Sequence, residues 1–422
     1  MTERHSPTVN PPSEPGPAAT GPGDDLAARL RGKLADELRQ RGDLRSPEWR
    51  EAVLRVPRHV FVPAFFQRTD GPGPTTWTPR VGESPKEKSS SHLEAVYSNT
   101  TLVTRLDGDR RPEDVEGPVT GTPTSSSTLP GLVVRMVEDS GVHPGDRVLE
   151  IGTGTGYSTA LLCERCGDEA VTSVEYDARS ARSARDALAT TGRHPNLVVG
   201  DGLLGRPEGA PYDRLIATCS VRHVPAPWLE QVRSGGTLLV PLSGWLPAHG
   251  LVRLTRGRNA GEANGEFLPG CVSFMGAAGH AAPAVQGLAN LLNREDAGER
   301  ATDHGPAVLE DWTTTFLIQL AAPTARHLGT PAGDGTFREH LVDPATGSSA
   351  TLLPDGRGGH RVRQSGPVRL WDTVEETLNR WERAGRPDQA RFGMTVTGGR
   401  QWVWAGSPDG PRWELPTDVP TG

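Results

Sequence analysis

One stretch of ten residues, 148–157, constrains the fold more than any other part of the chain. It begins with the apolar strand pattern at 148–151, turns through glycines at 152, 154 and 156, and leads into a helical pattern near Tyr157. Glycine adopts positive φ and lets the backbone approach a ligand without a Cβ clash. The stretch predicts a strand–turn–helix unit of an α/β protein with a nucleotide-type cofactor at the turn. A tight turn that binds nothing is the alternative.

Two further strand patterns follow, and an acidic residue lies at the end of each. Residues 171–175 end in Glu175, and residues 196–199 are soon followed by Asp201. Carboxylates at successive strand ends suit an adenosine, with Glu175 on the ribose hydroxyls and Asp201 near the adenine amine. The alternative is structural, with Glu175 capping the next helix and Asp201 starting a turn.

The glycine spacing distinguishes between two kinds of cofactor. A dinucleotide site usually has the spacing G-x-G-x-x-G, which brings a helix N-terminus to the pyrophosphate, whereas the spacing here is G-x-G-x-G. Glu150 precedes the loop, where its charge would repel a pyrophosphate but would suit a cofactor that carries a sulfonium and an ammonium group. These residues favour S-adenosyl-L-methionine.

Several motifs, in one order along the chain, resemble those of a known family. They are VPRHVFVP at 56–63, the loop at 148–157, the segments 198–202 and 210–213, and the segment 235–241. From about residue 53 to residue 242 the chain resembles the protein-L-isoaspartate O-methyltransferases, which are class I S-adenosyl-L-methionine-dependent methyltransferases. The resemblance implies an α/β fold, with a Rossmann-like seven-stranded sheet and helices on both faces, and S-adenosyl-L-methionine as cofactor. The cofactor-binding residues that it implies are Glu150, Gly152, Thr153, Gly154, Gly156, Tyr157, Glu175, Tyr176, Asp201 and Gly202.

A short hydroxyl-rich segment is the candidate catalytic element. The family places a threonine/serine segment that ends in proline before the cofactor loop, and residues 125–130 correspond to it. Alignment on Pro130 puts Thr128 where the family has serine, which is a departure that keeps a hydroxyl. Ser126 and Ser127 are candidates to share its role. A serine-rich turn before a helix near Leu132 is the structural alternative.

Esterification of a side-chain carboxylate, the reaction that the resemblance implies, requires neither a metal nor an acid–base pair. A carboxylate is ionised near neutral pH and can attack a sulfonium methyl directly, so catalysis reduces mainly to positioning and exclusion of water. Thr128 would donate a hydrogen bond to one carboxylate oxygen and leave the other aimed at the methyl group. The ester then makes methanol a leaving group, so the next backbone nitrogen can close a succinimide that opens to aspartate or isoaspartate.

The chain length limits the expected domain organisation, and the net charge limits the expected binding partners. With 422 residues the chain has room for a second folded unit, and we predict a disordered tail at 1–25, a catalytic domain at 26–285 and an α+β extension at 286–422. The net charge is −7 and no block of lysine and arginine occurs, so nucleic acid and membranes are not expected partners. No run of eighteen apolar residues and no apolar region after Met1 occur, so we expect a cytoplasmic enzyme. We also expect it to be a monomer.

The C-terminal region indicates which class of substrate to expect. A helix is predicted near 370–381 and a hairpin near 392–404, and this ending resembles extensions of isoaspartyl methyltransferase homologues that accompany lanthipeptide or graspetide biosynthesis. Its tryptophans are predicted to form a small core, with a peptide-binding groove as the alternative. Our leading hypothesis is an enzyme that methylates an aspartate of a modified, macrocyclic precursor peptide, leading to isoaspartate or a retained imide. A repair methyltransferase of broad specificity and a non-catalytic cofactor-binding module are the alternatives.

Overall fold

The computed structural model describes residues 22–70, 74–82, 89–282, 284–332 and 337–417. The helices are α1 (Pro22–Arg41), α2 (Pro47–Arg55), α3 (Arg58–Phe61), α4 (Ser90–Val96), α5 (Pro130–Asp139), α6 (Tyr157–Cys166), α7 (Ala178–Thr190), α8 (Ala226–Gln231), α9 (Leu288–Leu292), α10 (Trp312–Ala321) and α11 (Leu370–Arg383). Of the predicted disordered tail, residues 1–21 lie outside the described residues, whereas residues 22–25 belong to the first turn of α1.

The strands form three sheets. They are β1 (Ala64–Thr69), β2 (Thr76–Val81), β3 (Leu102–Leu106), β4 (Pro123–Ser127), β5 (Val148–Ile151), β6 (Val171–Glu175), β7 (Asn196–Val199), β8 (Tyr212–Ala217), β9 (Val232–Ser243), β10 (His249–Arg256), β11 (Ala263–Phe267), β12 (Gly298–Thr302), β13 (Arg326–Pro331), β14 (Phe337–Asp343), β15 (Ser348–Pro354), β16 (His360–Ser365), β17 (Phe392–Thr397), β18 (Arg400–Ala405) and β19 (Arg412–Glu414). None of the helices in the described ranges combines the length and apolar composition that crossing a membrane requires.

The largest sheet confirms the predicted methyltransferase fold and extends it. Its order is β7-β6-β5-β8-β9-β10-β11-β17-β18-β19, and the first five strands are parallel. Strands β5 to β11 number seven, as the resemblance implies, and the C-terminal strands β17 to β19 continue the sheet. Strand β5 lies between β6 and β8, so the strand order reverses beside it, which is where ligands bind in open α/β sheets.

Side chains of the central strands alternate between two apolar cores on opposite faces of the sheet. Leu149 and Leu215 belong to one core, whereas their chain neighbours Val148 and Ile216 belong to the other. The first core also contains apolar residues of α8, α10 and α11, and the second contains those of α1, α2, α5 and α6. The sheet therefore has helices on both faces, as the sequence predicts.

A four-stranded antiparallel sheet precedes the cofactor loop, with the order β2-β1-β3-β4. The hydroxyl segment forms its edge strand β4, so one side of that strand is free of a neighbouring strand in this sheet. The sequence also predicts that residues 93–106 pair as short strands, which is wrong in the first half of this range, where the chain forms the helix α4. Leu93, Val96 and Tyr97 recur at helical spacing and are buried on one face, which outweighs the strand pattern.

The C-terminal region contributes to two sheets. Strands β12 to β16 form a five-stranded antiparallel sheet, packed with α11, whereas β17 pairs with β11 of the main sheet. The predicted helix and hairpin correspond to α11 and to β17–β18. The domain boundary at 285/286 stays a prediction, and the main sheet runs across it. Buried Trp371, Trp404 and Trp413 support a core role for the tryptophans.

The apolar pattern at 271–275 also predicts a last strand of the methyltransferase sheet, but these residues form no strand. The last of the seven core strands is β11, and β17 occupies its outer edge. The segment instead runs past the end of β8, where the Ser220 N–H donates to the Met275 carbonyl at 2.9 Å and a single bridge joins Ser220 to Gly276. This placement brings residues 271–278 to the candidate active site.

Candidate active site

A cavity of about 1220 Å³ lies at the carboxyl ends of the parallel strands. It brings together the glycine loop, the acidic strand ends and the hydroxyl segment, which are far apart in the sequence. The predicted residues that line it are Ser126, Ser127, Thr128, Glu150, Gly152, Thr153, Gly154, Tyr157, Glu175, Tyr176, Asp201 and Gly202. Twelve of the thirteen predicted site residues therefore border one cavity, and Gly156 is the exception.

The three loop glycines all have positive φ, but they serve different purposes. A methyl group on Gly152 would lie 2.6 Å from the Thr218 hydroxyl, whereas one on Gly154 would meet only the Ser126 carbonyl at 3.8 Å. Gly154 is therefore the open position where backbone and ligand can approach. Gly156 faces away, because a methyl group there would lie 3.3 Å from the Ala184 Cβ and 3.4 Å from the Phe61 ring. Its role is close packing.

Glu150 is fully buried beneath the loop and is held by hydroxyl groups. The Ser158 hydroxyl donates to Oε1 at 2.5 Å, and the hydroxyls of Thr159 and Ser173 donate to Oε2 at 2.5 and 2.6 Å. Burial raises the pKa of Glu150, and the three hydroxyl donors oppose that rise. Glu150 thus ties the start of α6 to β6 under the loop, and its contact with a cationic cofactor stays a prediction.

Glu175 links the loop to the end of the second parallel strand. Its Oε2 accepts from the Gly154 N–H at 2.8 Å and its Oε1 accepts from the Asp177 N–H at 3.0 Å. Burial raises the pKa of Glu175, while the two backbone donors and Arg105 lower it. The side chain that caps α7 is that of Asp177, which accepts from the Ser180 N–H, so the structural alternative for Glu175 is not what the structure shows.

The other two adenosine-site candidates lie at the rim. Asp201 is exposed and accepts from the Leu203 N–H at 2.9 Å, which is the turn-starting role given as the alternative, yet it also lines the cavity. Tyr176 is 66% exposed, which leaves its ring available to cover a planar group. Gly202 packs closely, since a methyl group there would lie 2.6 Å from Ile151 Cγ2.

Of the four hydroxyl side chains in the hydroxyl segment, two are hydrogen-bonded within the described residues, those of Ser125 and Ser127, and two are not. The Ser127 hydroxyl is buried and accepts a hydrogen bond from Arg58 at 3.3 Å. The Thr128 side chain is half-buried and lines the cavity, and within the described residues its hydroxyl has no hydrogen-bond partner. The Ser126 carbonyl lies over Gly154, so this segment and the cofactor loop face each other. The hydroxyls of Thr128 and Ser126 both line the cavity without a hydrogen-bond partner among the described residues, so both are available to a ligand.

The sequence did not point to several residues that form the site. Arg58 lies behind the hydroxyl segment, and Thr218 at the end of β8 donates to the carbonyls of Ile151 and Gly152. Arg58 belongs to the motif at 56–63, and a polar residue at a strand end was a signal for Thr218. Residues 271–278, Ala281 and Trp312 also line the cavity, and we call them the distal wall. No local pattern marks the distal wall.

The residues present fit S-adenosyl-L-methionine. The space over Gly154 admits a ligand against the backbone, but the Gly154 N–H, which a pyrophosphate would need as a donor, already donates to Glu175. Four arginines also line the cavity, each paired with an aspartate, namely Arg41, Arg68, Arg105 and Arg135. Glu175 and Asp201 suit the ribose hydroxyls and the adenine amine, and the nearby negative charge suits a sulfonium and an ammonium group. When bound, this cofactor supplies an electrophilic methyl group.

Comparisons with known proteins agree with this geometry. The family model for protein-L-isoaspartate (D-aspartate) O-methyltransferase matches residues 113–264. A protein-L-isoaspartate O-methyltransferase of Methanopyrus kandleri is 32% identical over 222 residues, which cover 52% of this chain and 79% of that protein. One of Ignicoccus hospitalis is 30% identical over 212 residues, covering 50% and 80%. A solved structure of the same name covers 89% of this chain and all of its own, with 24% identity and a TM-score of 0.49.

The fold and the site define a class I S-adenosyl-L-methionine-dependent methyltransferase. The chain belongs to the protein-L-isoaspartate O-methyltransferase family. It is accordingly a protein carboxyl O-methyltransferase whose cofactor is S-adenosyl-L-methionine and whose substrate is a peptide or protein. The distal wall begins seven residues after the end of the family-model match, which stops at residue 264.

Proposed function

We propose that the enzyme transfers a methyl group to the carboxylate of an isoaspartyl residue in a peptide segment that reaches the cavity from the surface. The observation that carries this proposal is the Thr128 hydroxyl, which has no hydrogen-bond partner among the described residues and lines one cavity with the cofactor loop. The family name shared by the similar proteins supports isoaspartate as the substrate class. We also propose that the enzyme works as a monomer in the cytoplasm.

The chain's own residues need to do little chemistry. The Thr128 O–H donates to one carboxylate oxygen, and the other oxygen forms the new bond to the methyl carbon while the S–CH₃ electron pair returns to sulfur. Val272 and Phe274 of the distal wall are largely buried and bring apolar surface to the cavity. Exclusion of water there strengthens the attraction between carboxylate and sulfonium, which brings the reactants together.

A second candidate function concerns a dedicated peptide substrate. In this alternative the enzyme methylates an ordinary aspartate of a ribosomally made, macrocyclic peptide, such as a lanthipeptide or graspetide precursor, and the ester closes to succinimide. The observation that favours it is the distal wall, because these residues follow the family-model match and line the same cavity as the cofactor loop and Thr128. Threonine at position 128, in place of the family's serine, also supports it.

Trp312 is the residue to vary when the two candidates are compared. It begins α10, its indole N–H donates to the His249 carbonyl at 3.0 Å, and its ring stacks on His249 at 6.3 Å between centroids. The control is Trp402, which lies on β18 and faces Arg412.

The test compares kcat/KM for a short linear isoaspartyl peptide with that for a macrocyclic aspartyl peptide. Repair predicts that the linear peptide is preferred and that Trp312→Ala affects both peptides alike. A dedicated function predicts preference for the macrocycle and a selective loss of that preference in Trp312→Ala, with Trp402→Ala unchanged. Absence of methyl transfer to either peptide, in an enzyme that binds the cofactor, would refute both candidates.

A further inference from the structure

A buried arginine lies directly behind the hydroxyl segment. Arg58, the first residue of α3, has no exposed surface, and its two terminal guanidinium nitrogens lie within hydrogen-bond distance of six acceptors that share their four N–H groups. The acceptors are the carbonyl oxygens of Val96, Ser98, Thr100, Ser127 and Thr128, and the hydroxyl oxygen of Ser127. Arg58 thereby connects the end of β4 to the chain that joins α4 to β3.

These bonds fix the backbone that carries the Thr128 side chain. One nitrogen, Nη2, donates to the Ser127 carbonyl at 3.3 Å and to the Thr128 carbonyl at 3.2 Å, so two consecutive peptide units are held by the same group. A planar guanidinium offers several donors in a fixed geometry, which an ammonium group lacks. The direction in which Thr128 enters the cavity therefore depends on Arg58.

The charge of Arg58 has no counter-ion within the described ranges of the chain. All its hydrogen-bond acceptors are neutral, no carboxylate lies within ion-pair distance, and its Nε has no hydrogen-bond partner there. Burial lowers the pKa of Arg58 to about 10, so it is protonated at neutral pH, and its Cζ lies 5.9 Å from the centre of the Tyr157 ring. A buried charge is costly unless it is compensated. An anionic group at Thr128 would supply that compensation.

We propose that Arg58 is the positioning residue of the hydroxyl segment and that its unpaired charge makes the cavity select an ionised carboxylate over a neutral group. This inference rests on the proposed carboxylate substrate. The carboxylate loses its negative charge when its oxygen bonds to the methyl carbon, so the ester that forms is no longer attracted by Arg58. The same charge therefore favours binding of the substrate and release of the product.

The experiment measures binding of two peptides that differ only in the reactive group, one with the carboxylate and one with the primary amide. Titration calorimetry with S-adenosyl-L-homocysteine present avoids turnover. The wild-type enzyme is expected to bind the acid about tenfold more tightly, as a charge at short range in a partly buried site implies. Arg58→Met should bring the ratio close to one, whereas Arg58→Lys should keep the preference but lower kcat.

The matched control is Arg222→Met. Arg222 is also buried, but it donates to the Pro323 carbonyl at 2.7 Å and lies over the Trp245 ring, so its loss should leave the acid-to-amide ratio unchanged. Equal affinity of the wild-type enzyme for acid and amide overturns the proposal without any variant. Equal weakening of both peptides by Arg58→Met also overturns it, since that would be a structural effect alone. If Arg58→Met does not fold, the proposal is tested by the acid-to-amide affinity ratios of the wild-type enzyme and of Arg58→Lys.

Failure of the proposed function would give a different result. In that case the wild-type enzyme transfers no methyl group to the carboxylate peptide, whatever the ratio of affinities. A wild-type enzyme that methylates the peptide but binds acid and amide equally would instead refute only the role of Arg58.

Discussion

The backbone N–H of Gly154 donates to Glu175 Oε2 at 2.8 Å, which joins the middle of the cofactor loop to the end of β6. The carboxylate thereby borders the cavity with its position fixed by two backbone donors. The bond explains how one acid can shape the loop and still offer its remaining lone pairs to a ribose.

Glu175→Gln should weaken cofactor binding, because the amide keeps one acceptor oxygen and puts an NH₂ donor in place of the other, against the Gly154 or the Asp177 N–H. Loss of charged hydrogen bonds implies an increase in the Kd for S-adenosyl-L-methionine of about 10- to 100-fold. Titration calorimetry measures it. Glu169→Gln is the control, because Glu169 is exposed on the turn before β6. Unchanged affinity in Glu175→Gln would contradict the assignment.

Thr128→Val should remove the hydroxyl without changing the shape of the side chain. We expect kcat to fall about 100-fold, the effect typical of removing one donor from a developing reaction centre. Cofactor affinity should stay within twofold, about 0.4 kcal/mol, and Thr128→Ser should restore most of the rate. Steady-state kinetics with an isoaspartyl peptide checks this, and a Thr128→Val enzyme with undiminished kcat would exclude Thr128 from the mechanism.

Gly156→Ala should affect folding more than binding. Its φ of 90° is strained for alanine, and the added methyl group meets Ala184 and Phe61, so the free energy of unfolding should fall by about 1–3 kcal/mol. Gly167→Ala is the matched control, because φ there is 86° and the surrounding space is open. Urea denaturation should show the larger loss for Gly156→Ala. Unchanged stability with a large loss of cofactor affinity would restore the predicted cofactor role of Gly156.

His280 should make the fold sensitive to acid. Its Nδ1 accepts from the Arg222 N–H at 3.1 Å, and burial together with His223 and Arg222 lowers its pKa to about 4. Between an unfolded-state pKa of about 6.5 and the folded value, only the unfolded chain binds the proton, so stability falls as pH falls, by at most about 1.4 kcal/mol per pH unit. Below the pKa of His280 in the folded protein, no further loss of stability from His280 is expected.

His280→Asn keeps a hydrogen-bond acceptor but does not titrate. The free energy of unfolding, measured by urea denaturation from pH 7 to pH 4.5, should therefore fall less steeply in this variant. A residual slope is expected because burial also lowers the pKa of His249 to about 4. Equal slopes of the free energy of unfolding against pH in the wild-type protein and in His280→Asn would contradict the role of His280.

Local sequence patterns were sufficient to predict the structure where a short motif determines the geometry of its own backbone. Successive glycines at 152 and 154 need positive φ and close approach, and the strand ends at Glu175 and Asp201 meet because parallel strands end at one edge. Gly156 shows the limit of such reasoning. A glycine can be required either by a ligand or by a closely packed helix, and only the position of Ala184 in the folded chain distinguishes these two roles.

The sequence did not allow us to predict which strands pair when they are far apart along the chain. Strand β17 adds to β11 across more than a hundred residues, and no local periodicity specifies which sheet edge a hairpin will join. The distal wall is similar, since Ser220 holds Met275 and Gly276 through backbone groups that any residue type could supply. Arg58 was visible as part of a motif, but its six neutral acceptors became evident only in the folded chain.

The most direct test of the central claim is transfer of a labelled methyl group from S-adenosyl-L-methionine to three peptides of one sequence, which carry isoaspartate, aspartate or asparagine at a single position. We expect a base-labile label, released as methanol, on at least one carboxylate peptide, none on the asparagine peptide, and a sharp loss with Thr128→Val. Equal labelling of the asparagine peptide, or no labelling by an enzyme that binds the cofactor, would contradict it.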